Sequence, residues 1–342
     1  MPRTGSRGRW RSRDSVRAPT SSSPTAGVRF RSRRWVAVSD DPESVTALWP
    51  AVGDLSLSGR VAVVAGATRG IGLSVAYALA GCGVSVVING RDPVAVDETV
   101  TEIRGGGGYA VGVIGSAGDD GVAQKMVDAA LSEFGALDVA INCAGIAEPA
   151  GSTILSISAE EFRDQLDAHL MSAFHLVQAA GRVFAEQGTG SIVLTGSAAS
   201  LGMFGGSGYP AAKGGVNALA LAAGADLADR GVRVNVVMPG AKSRLSSGDH
   251  YVSHIESLHR RGILDELTRD AALDPAPPEY VAALYVFLAS DAARGITGQV
   301  FTAAGGFIGR YEPQQASFIA YRDHKDNAPY TLAELAELLG DG

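Results

Sequence analysis

The sequence predicts an α/β fold: a doubly wound parallel sheet in a single domain, with a helical lid and a C-terminal extension. Three observations carry this. Apolar β-branched runs alternate with helical patterns over about 250 residues, enough to bury a full core. The first run passes through a glycine turn directly into a helical pattern, as parallel strands with crossover helices require. The composition, 46% hydrophobic and 19% charged, suits one large globular domain.

In chain order, the apolar runs predict strands over 61–65, 84–88, 110–114, 137–141, 191–195, 232–237 and 299–302. The clearest helical patterns cover 71–80, 121–134, 159–187, 209–230 and 278–289, with a short amphipathic helix over 332–339. Pro210 suits a first helical turn, where a missing amide proton costs nothing. The domain is taken as 39–308 and the extension as 309–342.

Residues 1–38 differ: ten arginines stand against one acid, with scattered Ser, Pro and Gly and no apolar periodicity. The Arg33-Arg34-Trp35 run hints at a twin-arginine signal, but the apolar stretch after it is too short for export. An organellar transit peptide and a basic binding tail are further readings. The favoured one is a misassigned start, with translation beginning at Val38. The remaining residues, 39–342, are then strongly acidic, which offers no nucleic-acid footprint. No run reaches transmembrane length, and two cysteines, Cys82 and Cys143, make neither a disulfide framework nor a metal set. His250, His254 and His259 lack a completing Cys or carboxylate cluster, so they read as solvated lid residues and no metal is expected. A cytoplasmic protein acting on a small molecule, without nucleic-acid or membrane partners, is the expectation.

Two constellations point to chemistry. In the first, Gly66, Gly70 and Gly72 follow the strand 61–65: Gly66 permits the tight turn, Gly70 lets the backbone approach a pyrophosphate, and Gly72 allows close packing at a helix N-terminus that supplies amide donors. In the second, Tyr209 and Lys213 lie four residues apart on a predicted helix, so a phenol and an ammonium share one face. The cation is expected to lower the phenol's pKa and make it an acid/base group. Ser197, at the carboxyl end of the strand 191–195, can share with Tyr209 the charge that develops on a substrate oxygen.

With these motifs in place, the chain resembles the short-chain dehydrogenase/reductase family over about 55–306. The glycine turn is followed in order by Asn142, Ala144 and Gly145 after the fourth strand, then Ser197, Tyr209 and Lys213, then Pro239-Gly240 and a closing Thr297-Gly298 motif. Pro239 to Arg244 and the final leucine-rich helix are similar to a bacterial subgroup related to the hydroxyacyl dehydrogenase part of peroxisomal multifunctional enzymes. The resemblance implies a Rossmann-type fold and a nicotinamide cofactor bound by Gly66, Thr68, Arg69, Gly70, Ile71, Gly72, Arg91, Ser116, Asn142, Ala144, Gly145, Tyr209, Lys213, Pro239 and Gly240. It also implies a homo-oligomer, dimer or tetramer.

Three positions depart from the family pattern. His169 stands where the family has a catalytic Asn, Ala65 where it usually has Thr, and Ser116 at the adenine-contacting Asp. Three readings of His169 stay open: its backbone carbonyl keeps the family's water relay, its imidazole moves protons, or it is only packed. Cofactor choice follows charge: the acidic position after the second strand holds Gly90, with Arg91 next to it and Arg69 in the glycine turn, which favours NADP(H) over NAD(H). The other reading makes Arg91 a solvated charge, with Asp92 capping the next helix.

The leading expectation is therefore an NADPH-dependent ketoreductase, or the reverse alcohol dehydrogenase. Its substrate is an apolar ketone, acyl thioester or natural-product intermediate, and its catalytic set is Ser197, Tyr209, Lys213 and His169. The pocket is expected between 147–149, the glycine-rich 201–206 with Met203 and Phe204 as walls, and a lid from about 241 to 270 whose Tyr251, Ile255, Leu258, Ile263 and Leu264 cover an apolar substrate or pack at a subunit interface. Non-redox dehydration, isomerisation or cyclisation on the same scaffold, and a nucleotide-binding protein without turnover, are the alternatives.

Overall fold

The computed structural model describes residues 55–340 apart from 150, 205, 244, 245 and 314. The expectations for 1–38, including a start at Val38, and for Arg244 lie outside the described residues.

Eight strands form one sheet: β1 (Val61–Ala65), β2 (Ser85–Gly90), β3 (Ala110–Ile114), β4 (Val139–Asn142), β5 (Gly190–Thr195), β6 (Val232–Gly240), β7 (Val300–Ala304) and β8 (Phe307–Tyr311). Their order is β3-β2-β1-β4-β5-β6-β7-β8, parallel throughout except for the antiparallel β7–β8 pair. Because β1 has β2 on one side and β4 on the other, the order reverses there. That leaves a crevice at the carboxyl ends of the strands, the usual ligand position in such sheets.

Every residue of β1 is buried, and its side chains alternate between two cores. Val61, Val63 and Ala65 join the cluster beneath α3 (Val122–Phe134), α5 (Ser172–Gln187) and α6 (Gly208–Leu227). Ala62 and Val64 join the one beneath α1 (Gly70–Gly81), α2 (Pro93–Gly105) and α9 (Glu279–Ala289). A strand covered on both faces has no polar side to show, which is why it reads as a continuous apolar run. The sequence reading did not single out α2, but Asp92 caps it through a 3.0 Å bond from the Val94 amide and Pro93 opens it.

Two expectations are corrected. The helix predicted over 159–187 is α4 (Ala159–Gln165), a π-helical turn (Leu166–Met171) and α5. Ser172 Oγ donates to the loosened carbonyls of Ala168 (2.8 Å) and His169 (3.1 Å), which helps satisfy the widened turn. The residues after 306 contain β8, which has no apolar alternation: Phe307 and Ile308 are exposed, and the strand exists through its backbone ladder with β7.

The lid is built from α7 (Asp249–Arg260) and α8 (Glu266–Leu273), with Ile255, Leu258 and Leu264 forming a small core of their own. After β8 the chain reaches α10 (Leu332–Leu339), opened by a Thr331/Glu334 capping box and tied by an Arg322–Glu334 ion pair at 2.6 Å. Among the described residues no helix is long and apolar enough to cross a membrane.

Candidate active site

The carboxyl ends of the strands open into a cleft of about 1350 Å³. Its floor begins with the turn between β1 and α1. A Cβ at Gly72 would lie 2.1 Å from the Gly66 carbonyl oxygen, so only glycine lets the helix start pack against the strand end. Asn89, at the end of β2, holds the same turn: its Oδ1 accepts from the Gly66 amide at 3.4 Å, and its amide donates to the carbonyls of Val113 and Gly115. Asn142 is buried beneath the floor, accepting from the Ala144 amide at 2.8 Å and donating to Ser172 Oγ at 3.1 Å. The rest of the sequence-predicted cofactor set, from Gly66 and Thr68 through Arg91 and Ser116 to Gly145 and Pro239-Gly240, lines the cleft. This cradle, with exposed amides at a helix N-terminus, fits a nicotinamide dinucleotide: Gly66 to Gly72 would hold the pyrophosphate and Lys213 the nicotinamide end.

Ser197, Tyr209 and Lys213 converge on the same cleft. Ser197 follows β5 in extended backbone, and its Oγ accepts from the Ala199 amide at 3.2 Å on the cleft wall beside Tyr209. Lys213, 4% exposed, donates from Nζ to the Thr195 carbonyl at 2.7 Å and lies 5.8 Å from the Tyr209 ring centre. Thr195 is itself fixed, its hydroxyl 2.6 Å from the Asn142 carbonyl and 2.9 Å from the buried Tyr285 hydroxyl.

The electrostatics correct one expectation. The Tyr209 pKa is raised, not lowered, chiefly by burial; the neighbouring Ser197 hydroxyl opposes this and the Glu148 carboxylate adds to it. Lys213 is directed at a backbone carbonyl and lies against the ring, and its own pKa falls to about 8 because burial disfavours the ammonium.

His169 sits in the π-helical turn, 2% exposed, with its ring edge-on to Tyr209 at 4.9 Å. Its Nε2 lies 3.0 Å from the Ile146 carbonyl and 3.3 Å from the Ile146 amide, while Nδ1 has no partner among the described residues. Burial and the nearby Lys213 charge push its pKa well below 6.5, so the ring is neutral. A Cβ at Gly145 would lie 2.3 Å from the imidazole, so the ring fills the space above this glycine.

Around the substrate end of the cleft, Phe204, Tyr251 and Ile255 supply apolar wall. Met203, expected beside Phe204, instead packs into the lid core with Leu258 and Leu264. His250 borders the cleft and is exposed, His254 bonds the Phe204 carbonyl at 2.7 Å, and the partly buried His259 bonds that of Leu264 at 3.0 Å. His254 therefore ties the lid to the Phe204 loop, and His259 is a tie within the lid. Sequence reasoning missed Asn89 and Thr195 and the amides that Glu148 holds, since each acts through a partner at least 18 residues away.

The family model described as enoyl-(acyl carrier protein) reductase matches residues 66–308. The chain belongs to the short-chain dehydrogenase/reductase family. It is similar to a 3-oxoacyl-[acyl-carrier-protein] reductase of Synechocystis, 33% identical over 74% of this chain and 98% of that protein. It is also similar to a hydroxyacyl-CoA dehydrogenase of Mycobacterium tuberculosis, 32% identical over 83% of this chain and 89% of the relative. A short-chain dehydrogenase from Mycobacterium avium, known from a crystal structure, superposes with a TM-score of 0.67 at 30% identity, covering 83% of this chain and 94% of that one. The protein is accordingly a short-chain oxidoreductase, whose family implies a nicotinamide cofactor.

Proposed function

We propose that this short-chain dehydrogenase/reductase is an NADPH-dependent ketoreductase acting on an apolar ketone, with acyl thioesters the favoured class and natural-product ketones next. The observation that carries this reading is the convergence of Ser197, Tyr209 and Lys213 with the glycine turn in one cleft. When bound, the dinucleotide supplies the hydride. Ser197 orients and polarises the substrate carbonyl, Tyr209 donates its proton to the developing alkoxide, and Lys213 adds positive charge beside them. His169 serves as a proton relay that keeps its ring neutral: Nδ1 gives a proton toward the Lys213 side as Nε2 takes one up, so the disfavoured imidazolium never forms. The test is NADPH consumption by the purified protein against a panel of ketones and 3-oxoacyl thioesters. Nucleotide binding without stoichiometric oxidation would reject the reading in favour of non-redox chemistry or a binding protein.

Two predictions belong here. Arg69 and Arg91 line the cleft, and no side chain fits between them at Gly90, where a Cβ would lie 2.5 Å from Thr68. Loss of one guanidinium–phosphate contact is worth roughly tenfold or more. Arg91→Ala should therefore raise KM for NADPH by about that factor and leave KM for NADH unchanged, as read from initial rates with each nucleotide. His169→Phe keeps the ring against Tyr209 but removes both nitrogens; kcat should fall about tenfold with nucleotide affinity unchanged, which a binding titration beside steady-state kinetics would check.

The tail also supports a homo-oligomer, since Phe318, Tyr321 and Leu332 are more than 75% exposed on this chain and suit burial against a second copy. Free thiols at Cys82 and Cys143 suit a cytoplasmic setting.

A further inference from the structure

The helix that carries Tyr209 and Lys213 begins without the cap its sequence offers. Ser207 occupies the N-cap position of α6, yet its side chain caps nothing and its Oγ is buried without a partner among the described residues. The amides are instead taken by a residue from elsewhere in the chain. Glu148 Oε1 accepts from the Ser207 amide at 2.7 Å and from the Gly208 amide at 2.9 Å. A carboxylate at this end of a helix also meets the positive pole of its dipole. The fit is close: Gly206 has φ of +80°, and a Cβ there would lie 2.3 Å from Glu148 Oε2.

Glu148 ends a three-residue bridge in which every residue is held by a different part of the site. Ile146 contacts His169 Nε2, the Ala147 carbonyl accepts from Gln165 at 3.0 Å, and Glu148 holds α6. Gln165 is 1% exposed. The segment 146–148 therefore joins the π-helical turn to the start of the catalytic helix.

We propose that Glu148 is a positioning residue, whose carboxylate clasps the first turn of the Tyr209 helix and holds a negative charge facing the phenol from across the cleft. It has a measurable electrostatic consequence. Tyr209 faces Lys213 on its own helix, His169 from the π-helical turn, Ser197 after β5, Glu148 after β4, Tyr251 from the lid and Tyr285 from α9. Of these, Glu148 is the carboxylate, and it opposes formation of the phenolate. The clasp thus orders the helix while adding to the burial that keeps its phenol protonated, the form that reduction consumes. Only this kinetic consequence rests on the ketoreductase reading.

The test compares full-length wild type, Glu148→Gln and Glu148→Ala without any substrate. Hydrogen exchange of the Ser207 and Gly208 amides should quicken about five- to tenfold in Glu148→Ala, the range of a lost helix cap. In Glu148→Gln, whose amide oxygen still accepts, it should stay within about threefold of wild type. The Tyr209 phenol, followed by difference absorbance against Tyr209→Phe, should titrate at lower pH in Glu148→Gln. If a ketone substrate is in hand, the rising limb of alcohol oxidation moves the same way. Unchanged exchange in Glu148→Ala, or an unmoved phenol titration in Glu148→Gln, overturns the proposal. If Glu148→Ala does not fold, the glutamine variant decides alone. Because exchange and titration need no turnover, failure of the clasp is distinguishable from failure of the ketoreductase reading.

Discussion

Tyr209→Phe should lower kcat for ketone reduction by roughly a thousandfold or more, with nucleotide affinity reduced by no more than about tenfold, the worth of one hydrogen bond, and thermal stability within error of wild type. The phenol is the proton donor that the Lys213 helix presents to the cleft beside Ser197, and general acid catalysis contributes about 10²–10⁴-fold. Ser197 remains in the variant but can only polarise the carbonyl, so the alkoxide must take its proton from solvent. Phenylalanine keeps the ring that His169 meets edge-on, so packing is retained. The pH dependence has a definite sign. Because burial raises the Tyr209 pKa, the phenol stays protonated through the working range, and reduction loses its acid only when the pH climbs past that raised value. Alcohol oxidation needs the phenolate, so its rate should rise with pH toward the same value. Steady-state rates in both directions over a pH series, with a melting curve and a nucleotide titration on each protein, check all of this. A variant retaining more than a tenth of wild-type kcat would remove Tyr209 from the proton-transfer step.

The parts of this site legible in the sequence are those whose geometry is local. Gly66 to Gly72 form a turn whose spacing is its structure, and Tyr209 and Lys213 share a helix face because residues four apart always do. Strands buried on both faces announce themselves as apolar runs, and β1 and, to within one residue, β5 fall where those runs lie. What escaped is set by distance in the chain or by burial. Glu148 reads only as a pocket-side residue until the fold brings it to amides 59 and 60 residues away. Thr195 matters through its carbonyl, which no residue type advertises. The π-helical turn depends on Ser172 and on Asn142, 30 residues distant. β8 was missed because its pairing with β7 is made by the backbone while its side chains stay largely exposed. The sign of the Tyr209 shift required knowing that phenol and ammonium are both withdrawn from water, where desolvation is the largest influence on each.

That withdrawal makes Lys213 a residue held at the expense of stability, and Lys213→Met should separate the two properties. The ammonium is 4% exposed and its pKa is pushed down to about 8 from an ordinary 10.5, a depression that costs the charged form roughly 3 kcal/mol near neutrality. Methionine fills a similar volume without that penalty. It forfeits the hydrogen bond to the Thr195 carbonyl, which offsets roughly 1.5–3 kcal/mol of the gain. The variant should therefore be as stable as wild type or up to about 1.5 kcal/mol more so at pH 7, while its kcat falls by about 10²-fold or more for want of the positive charge. Linkage supplies a sharper signature. Between about pH 8 and 10.5 the unfolded chain holds a proton on Lys213 that the native protein has released, so wild-type stability should gain from this group as pH rises through that window. Lys213→Met should lack that contribution, and the difference between the two denaturation curves should narrow or reverse on going from pH 7 to 10. The same titration governs catalysis: reduction by the wild type should decline as pH rises through about 8, where Lys213 loses its charge and Tyr209 is still protonated. In Lys213→Met the residual activity should show no limb there. Urea denaturation of both proteins at pH 7 and 10, beside their rate profiles, decides the matter. A variant markedly less stable at pH 7, with its pH 8 limb intact, would mean that the ammonium is a structural tie and the catalytic charge lies elsewhere.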